Sequence, residues 1–170
     1  MSIWHRFMVW TDRYRLITDR HSGADYLHRY YLFLKDRSWF PFNVTLHKIV
    51  RSDDPIFHDH PWGFCTFILA GGYYEHVAQV DGTGKMTSSA RHWRGPGSVI
   101  WHRSTDMHWL ELDKEKPATT LFFMGPQSRT WGFLVNPKGK STRWVRYDHY
   151  LNFWSKYHKE VVLNQPKENV

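Results

Sequence analysis

Apolar and polar residues alternate with a period of two through much of this chain, and that pattern predicts short β-strands. The alternation is clearest at residues 42–50. One face consists of Phe42, Val44, Leu46 and Val50, and the other of Thr45, His47, Ile49 and Arg51. We expect the apolar face to lie in the core. The mixed face would then line a pocket or meet solvent.

Similar runs recur along the chain and are separated by turn residues. Strands are predicted at residues 26–34, 42–50, 64–70, 73–80, 86–94, 98–102, 119–124 and 131–135. The breaks contain Gly71-Gly72, Asp81-Gly82, Gly95-Pro96-Gly97 and Gly125-Pro126. Many short strands at regular spacing favour an antiparallel sandwich or barrel.

Both ends of the chain change to a helical period. Apolar residues recur at steps of three and four from Ile3 to Ile17 and again from Tyr147 to Val161. A strand over residues 14–18 is the alternative for the end of the first segment. We therefore predict an N-terminal helical and loop extension over residues 1–25, a β-barrel over 26–140 and a C-terminal helix over 141–163. The first helix would pack on the barrel or join two copies in a homodimer.

The composition fits one basic domain that is rich in aromatic residues. The 170 residues suffice for a single sizeable core, and 18% of them are aromatic. The formal charge of +7 favours anionic partners such as nucleotides, phosphates and carboxylates. Because the basic residues are dispersed and no nucleic-acid-binding module is recognisable, we expect a small anionic ligand and no nucleic acid.

The cysteine count and the N-terminus suggest where the protein resides. Cys65 is the only cysteine, so no intramolecular disulfide can form and a reducing compartment is the natural expectation. The first residues lack the apolar segment of a signal peptide, and no stretch approaches the length of a membrane span. We expect a cytoplasmic protein without a membrane segment.

The most informative motif is His58-Asp59-His60-Pro61-Trp62, which precedes an apolar run ending at Gly71-Gly72. Two histidines separated by one residue lie on the same face of a strand, so their rings can converge. Neutral imidazole is a common ligand of divalent transition metals. The alternative is that one ring bonds a backbone carbonyl and the other is exposed.

A third ligand would have to come from elsewhere, and His108 is the best candidate. It follows Pro96-Gly97 and an apolar stretch, in what we expect to be the turn after a strand. His102 competes for this role and ranks lower, because it lies at the tail of that strand. Asp59 should point away from the two rings.

These paired motifs resemble those of the cupin superfamily, in which an H-x-H and a later histidine hold a metal inside a jelly-roll barrel. The resemblance covers roughly residues 46–133 and includes Gly71, Gly97 and His108. It implies a mostly β fold, a double-stranded β-helix with flanking helices. The segment Gly125-Pro126 to Phe133 strengthens the likeness to bacterial and phage cupins without an assigned function.

One cupin position departs from the pattern. The usual glutamate should follow the second histidine by a few residues, where this chain has Gly63, Phe64 and Cys65. The resemblance therefore implies a shell of three histidines, as in cupins of the cysteine-dioxygenase type. Such a shell favours Fe(II), although Ni, Mn or Zn would fit, and an oxygenase-type activity. Glu75 is a candidate substitute ligand or general base.

Arg129 is the favoured anchor for an anionic substrate, because a guanidinium binds carboxylate or phosphate in a bidentate manner. A surface arginine at a turn is the alternative. Further candidate contacts are Arg51, Arg103, Trp62, His47 and Trp131. The competing function is a binding protein without turnover, in which aromatic rings stack on a nucleotide and basic residues hold its phosphates.

Overall fold

A computed structural model describes residues 2–19, 22–35, 40–83, 86–135 and 142–150 of the chain. The chain begins with helix α1, Ile3–Trp10. The strands are β1 Tyr14–Thr18, β2 Asp25–Tyr31, β3 Asn43–Ile49, β4 Trp62–Ala70, β5 Tyr73–Val80, β6 Met86–Arg94, β7 Val99–His102, β8 Met107–Leu112, β9 Ala118–Gln127, β10 Gly132–Val135 and β11 Arg143–Arg146. A short 3₁₀ turn, Asp113–Glu115, joins β8 to β9.

The strands form antiparallel sheets that face each other. A six-stranded sheet has the order β1-β2-β3-β9-β4-β7, and smaller sheets have the orders β6-β5-β8 and β10-β11. The backbone of His58 bridges both His108 on β8 and Phe133 on β10, so the smaller sheets join through this one extended residue. The sequence prediction of an antiparallel, mostly β architecture is confirmed.

The core lies between the sheets and contains residues from both. Its largest cluster consists of Leu27, Ile49, Ile68, Tyr73, Ile100, Leu112 and Ala118. Inward-facing positions alternate along each strand, as at Phe64, Thr66 and Ile68 of β4, because strand side chains alternate between the faces.

The apolar face of strand β3 does not lie in the core, contrary to the prediction, whereas its mixed face lines a pocket, which was one of the two alternatives predicted for it. Asn43, Thr45 and His47 are buried with Ile49, whereas Val44 and Leu46 are only half-buried on the outer face. The mixed face points inward because the interior contains a cavity with polar groups. The apolar face lies on the outside of the six-stranded sheet.

The N-terminal helix is shorter than predicted. Ser2 caps it, and its Oγ accepts a hydrogen bond of 3.2 Å from the His5 amide. The helix ends at Trp10 because Asp12 has a φ of +56°, which a right-handed helix does not allow. Residues 14–18 then form the edge strand β1, so the strand alternative is confirmed for this segment.

Two differences concern the later part of the chain. Strand β8 was not predicted, and residues 143–146 form strand β11 where the C-terminal helix was expected to have begun. Residues 147–150 are helical, and the remainder of the predicted helix lies outside the described residues. Within the described ranges, no helix has the length and apolar character that a membrane crossing requires.

Candidate metal centre

The His58-x-His60 pair lies just before β4 and not on it. His58 adopts an extended conformation and exchanges two backbone hydrogen bonds of 3.0 Å with His108. The pairing places His58 beside β8, and the chain enters β4 two residues after His60. The ring centroids of His58 and His60 are 5.4 Å apart, so the two side chains converge as the spacing predicts.

His108 completes a cluster that we call the histidine triad: His58, His60 and His108. One ring nitrogen from each residue lies within 4.8 Å of the others. The Nε2 atoms of His60 and His108 are 3.0 Å apart. His108 lies on β8 and not in the predicted turn, and this strand position directs its ring toward the His58-x-His60 segment.

The triad fits a divalent transition metal. Two imidazole nitrogens about 2.1 Å from one ion and at right angles lie about 3.0 Å apart, which is the separation observed between His60 and His108. Burial, followed by the neighbouring His108 and His58, holds the pKa of His60 well below its ordinary value. His60 is therefore neutral at pH 7 and has a lone pair for an ion.

Glu75 lies behind the triad and fixes the tautomer of His108. Its Oε1 accepts hydrogen bonds from His108 Nδ1 at 2.9 Å and His102 Nε2 at 2.7 Å, and its Oε2 accepts from Arg94 Nε at 2.9 Å. Because a carboxylate only accepts, His108 Nδ1 carries the proton and Nε2 is left for metal coordination.

The carboxyl group of Glu75 is ionised although it is almost fully buried. Burial alone would raise its pKa, but the hydrogen bonds from His102 and His108 outweigh burial and lower the pKa well below the ordinary glutamate value. Arg94 forms an ion pair with the same carboxylate. The site therefore contains a permanent buried negative charge beneath His108.

Glu75, His102 and His108 form a second cluster with ligand-like spacing. In it, however, the Oε1 atom of Glu75 already accepts hydrogen bonds from both histidines. The cluster is a hydrogen-bonded support, whereas the histidine triad brings three ring nitrogens together with no carboxylate among them. His102, at the end of β7, belongs to this support.

Phe64 occupies the position where the cupin motif has its glutamate. Its ring is buried and contacts those of His60 and His108, with centroids 4.7 and 5.6 Å away. The ring of Phe122 stacks on that of Phe64, with the two centroids 4.8 Å apart. An aromatic wall thus stands beside the triad in place of a fourth ligand.

The triad opens into a cavity of about 390 Å³, the inner cavity. Most of its lining is apolar and aromatic, with buried hydroxyls from Thr66 and Thr120. Its charged lining residues are Asp19, Asp53, Asp54, Glu75 and Arg29 among the part of the chain that the structure describes. Three of these acidic residues accept hydrogen bonds within the protein: Asp53 from Tyr26 and the Leu110 amide, Asp19 from the amide and hydroxyl of Ser22, and Glu75 from the histidines.

Three of the predicted substrate contacts, Trp62, His47 and Trp131, line the inner cavity. Arg129, Arg51 and Arg103 are not among its lining residues. Arg129 instead pairs with Asp59 and donates to the Ser104 carbonyl at 3.0 Å. Arg51 and Arg103 are exposed.

Sequence reasoning missed Arg29 and underestimated Asp59. Arg29 lines the inner cavity, and its Nε donates to His47 Nε2 at 3.1 Å. The sequence signal for this position is that Arg29 is two residues from Leu27 on β2, so both side chains lie on the same face. Asp59 is fully buried and accepts from the Gly132 amide at 2.6 Å and from Trp144 Nε1 at 2.9 Å. It therefore ties the motif segment to β10 and β11.

The chain is similar in fold to several solved structures, although no protein-family model matches it and no curated protein sequence is significantly similar. A variant of oxalate decarboxylase from Bacillus subtilis aligns at a TM-score of 0.51 and 13% identity, over 92% of this chain and 38% of that one. The polyketide cyclase RemF from Streptomyces resistomycificus aligns at 0.47 and 18%, over 69% and 77%. Hydroxypropylphosphonic acid epoxidase from S. wedmorenis aligns at 0.47 and 13%, over 67% and 56%.

These similarities describe the fold and not the activity. The chain spans about half the length of the first structures that it matches, 56% in two of them. Its motifs, its facing antiparallel sheets and the alignment with the oxalate decarboxylase variant agree. The chain has a cupin-like jelly-roll fold.

Proposed function

We propose that this protein is a metal-dependent enzyme with an oxygenase-type activity on a small anionic substrate, and that Fe(II) is the favoured ion. The observation that carries the proposal is the histidine triad, whose three ring nitrogens lie within 4.8 Å of one another at the wall of the inner cavity. A divalent ion bound there would supply Lewis acidity and open coordination positions.

The residues around the triad have separate tasks in this proposal. Glu75 positions His108 by holding its Nδ1–H, which is the role we assign to it in preference to that of general base. Phe64 and Phe122 exclude water from one side of the site. Trp131 and Phe133, whose ring centroids are 5.3 Å apart, offer flat apolar surface to a substrate.

Arg29 replaces Arg129 as the proposed anchor of the substrate anion. It is the cationic side chain among the described residues that line the inner cavity, whereas Arg129 is held by Asp59. His47 lies beside it, and its pKa is well below the ordinary value because of burial and the charge of Arg29. His47 is therefore neutral at pH 7 and accepts from Arg29.

A binding protein without turnover is the second candidate, and the aromatic lining of the inner cavity favours it. Trp62, Trp131 and Phe133 could stack on a nucleobase. In that case the triad would not need an ion. Native mass spectrometry of the intact protein separates the candidates: a retained metal supports the enzyme, and a retained nucleotide without metal supports the binding protein.

Oxygen consumption by Fe(II)-loaded protein tests the enzyme directly. A panel of small carboxylates, phosphonates and thiols should include compounds that stimulate dioxygen uptake, and His60→Ala should abolish the stimulation. Chelation that leaves both ligand binding and every turnover assay unchanged would count against the proposal.

A further inference from the structure

A second, more open cavity adjoins the inner one. It has a volume of about 970 Å³, and we call it the outer cavity. Its described lining residues include Arg15, Tyr31, Asn43 and Met124. Arg29 and Trp62 line both cavities, so they form the partition between the two.

Two arginines on neighbouring strands face this outer cavity side by side. Arg15 on β1 is the direct cross-strand partner of Arg29 on β2, and both line the outer cavity. Like charges directly opposite each other on a sheet are destabilising. Among the described residues, neither guanidinium forms an ion pair with a carboxylate.

Arg15 and Arg29 belong to a row of directly paired, inward-facing polar residues that continues with His47 on β3. Arg29 pairs in register with His47, and the Arg29 Nε donates to His47 Nε2 at 3.1 Å. This hydrogen bond fixes the guanidinium and leaves its terminal nitrogens without a described partner. The acidic residue of the outer cavity, Asp12, already pairs with Lys35.

We propose that Arg15 and Arg29 form a binding site for a doubly charged oxyanion, a phosphate or phosphonate group of the substrate. Two adjacent guanidinium groups can each donate two hydrogen bonds to such a tetrahedral group, and its negative charge offsets their mutual repulsion. The inference rests on the proposed function in one respect, that the bound molecule extends past Trp62 to the histidine triad. The substrate class is then a small organophosphate or organophosphonate.

Inorganic phosphate binding to chelator-treated protein tests the site without any metal. Isothermal titration should detect binding in the wild-type chain, and Arg15→Gln and Arg29→Gln should each weaken it about tenfold. Arg29→Lys should recover only part of the affinity, because the charge returns without the planar fork. Arg6→Gln removes the same charge from exposed helix α1 and should leave the affinity unchanged.

The outcomes separate this inference from the proposed function. Equal weakening by Arg6→Gln would show a general charge effect and would overturn the site. A wild-type protein that binds no phosphate would also overturn it. Arg15 is exposed, so its variant should fold normally, and an unchanged thermal transition verifies this. If phosphate binds as expected while no metal binds, the oxyanion site stands and the metal-dependent enzyme does not.

A separate observation concerns the outer face of the six-stranded sheet. Directly paired residues form one row across all six strands: Tyr14, Tyr30, Leu46, Leu121, Phe67 and Val99. A second row across β3, β9, β4 and β7 consists of Val44, Phe123, Cys65 and Trp101. We call these the apolar rows.

A solvated sheet face normally carries polar residues at such positions. The apolar rows carry no charged residue, and Trp101 is 77% exposed and Val99 57% exposed. With the 40% exposed Phe123 and the half-buried members of the rows, they present on the order of 500 Å² of apolar surface, and α1 covers the Tyr30 end of the same face through Trp4. An exposed apolar patch of this size is at the upper end for a monomer and is often an interaction surface.

We infer that a second copy of this chain covers the apolar rows. A sheet face can pack on its own copy about a two-fold axis, and the apolar rows themselves bring no charge into such a contact between two molecules of charge +7, with Lys48 in the adjacent row at its border. The last described residue, Tyr150, packs on Phe133 of the β10–β11 sheet and not on the apolar rows. The sequence suggested the N-terminal helix as one location for a homodimer contact, and we place this contact at the sheet face instead.

Sedimentation over a range of concentrations tests the dimer. The full chain should sediment as a dimer, and the double variant Trp101→Ser with Phe123→Ser should sediment as a monomer with an unchanged circular dichroism spectrum. Trp93→Ser removes a 49% exposed tryptophan from the other sheet and should leave the dimer intact. A wild type that sediments as a monomer would overturn the inference. Hydrogen exchange would then show whether the chain covers this sheet face with its own residues.

Discussion

The Nδ1 atom of His108 donates a hydrogen bond of 2.9 Å to the Oε1 atom of Glu75, and this contact fixes which nitrogen of His108 faces the histidine triad. Carboxylates in this position orient a metal-binding imidazole and raise its basicity. Glu75 therefore orients His108. The alternation of β5 shows only that Glu75 faces inward and does not distinguish this supporting role from that of a metal ligand.

Glu75→Gln should weaken the binding of a divalent ion 10–100-fold, a range typical of such supporting groups. The amide removes the buried charge and leaves Arg94 without its carboxylate. Competition with a chromogenic chelator measures the affinity. Glu111→Gln is the matched control, because Glu111 is more exposed and binds Arg91 and His76 away from the triad. Equal affinities for Glu75→Gln and wild type would contradict the supporting role.

Phe64→Glu should restore the carboxylate of the cupin motif. With an ion present, a fourth ligand beside His60 should tighten binding about tenfold; without one, a buried carboxylate should destabilise the fold. The thermal transition, measured with Ni²⁺ and with chelator, should shift further between the two conditions than in the wild type. Phe122→Glu buries the same charge next to His47 and should lose stability without that shift.

Asp59→Asn should destabilise the protein by about 3 kcal/mol. Asp59 accepts from Gly132, Trp144 and Arg129, so the amide group of asparagine would face a donor, and the guanidinium would lose its charge partner. Urea unfolding measures the change. Asp148→Asn breaks a more exposed pair with Arg146 and should cost little. A loss below about 0.5 kcal/mol for Asp59→Asn would show that the β10–β11 connection does not depend on this carboxylate.

His47 should make the protein less stable in mild acid. Burial, followed by the charge of Arg29, lowers its pKa in the folded state. The unfolded chain therefore takes up a proton as the pH falls through about 6.5 and the folded chain does not, so the free energy of unfolding decreases below that pH. Between pH 7.5 and 5.5 this one group contributes a decrease of at most about 1.4 kcal/mol.

The variant His47→Gln isolates that contribution. Its free energy of unfolding should fall less steeply between pH 7.5 and 5.5 than that of the wild type, as measured by urea titrations at each pH. His92→Gln, at an exposed position on β6, should follow the wild-type dependence. Parallel curves for His47→Gln and wild type would contradict the lowered pKa.

The jelly roll could be predicted because strand alternation and turn residues are local signals. The convergence of His58 and His60 was predictable for the same reason, since it depends on spacing alone. The apolar face of β3 was predicted wrongly, and the choice between pocket and solvent for its mixed face stayed open, because polar residues that line a cavity form the same pattern as polar residues that meet solvent. Only the tertiary structure distinguishes them.

Long-range pairing explains the other differences. Strand β8 is hidden in the sequence because Met107, His108 and Leu112 are buried on both of its faces, so it shows no simple alternation. Arg129 and Arg29 are chemically equivalent in the sequence. The first is neutralised by Asp59, far away along the chain, whereas the second faces the cavity through its position on β2.

Metal content by elemental analysis is the most direct test of the histidine triad. After reconstitution with Fe(II) or Ni²⁺ and desalting, the wild-type chain should retain close to one ion per chain. His58→Ala, His60→Ala and His108→Ala should each lose it, whereas the exposed control His92→Ala and the supporting variant His102→Ala should keep most of it. A wild type that retains no ion, or a His102→Ala variant that loses it while His58→Ala does not, would contradict the triad as the metal centre.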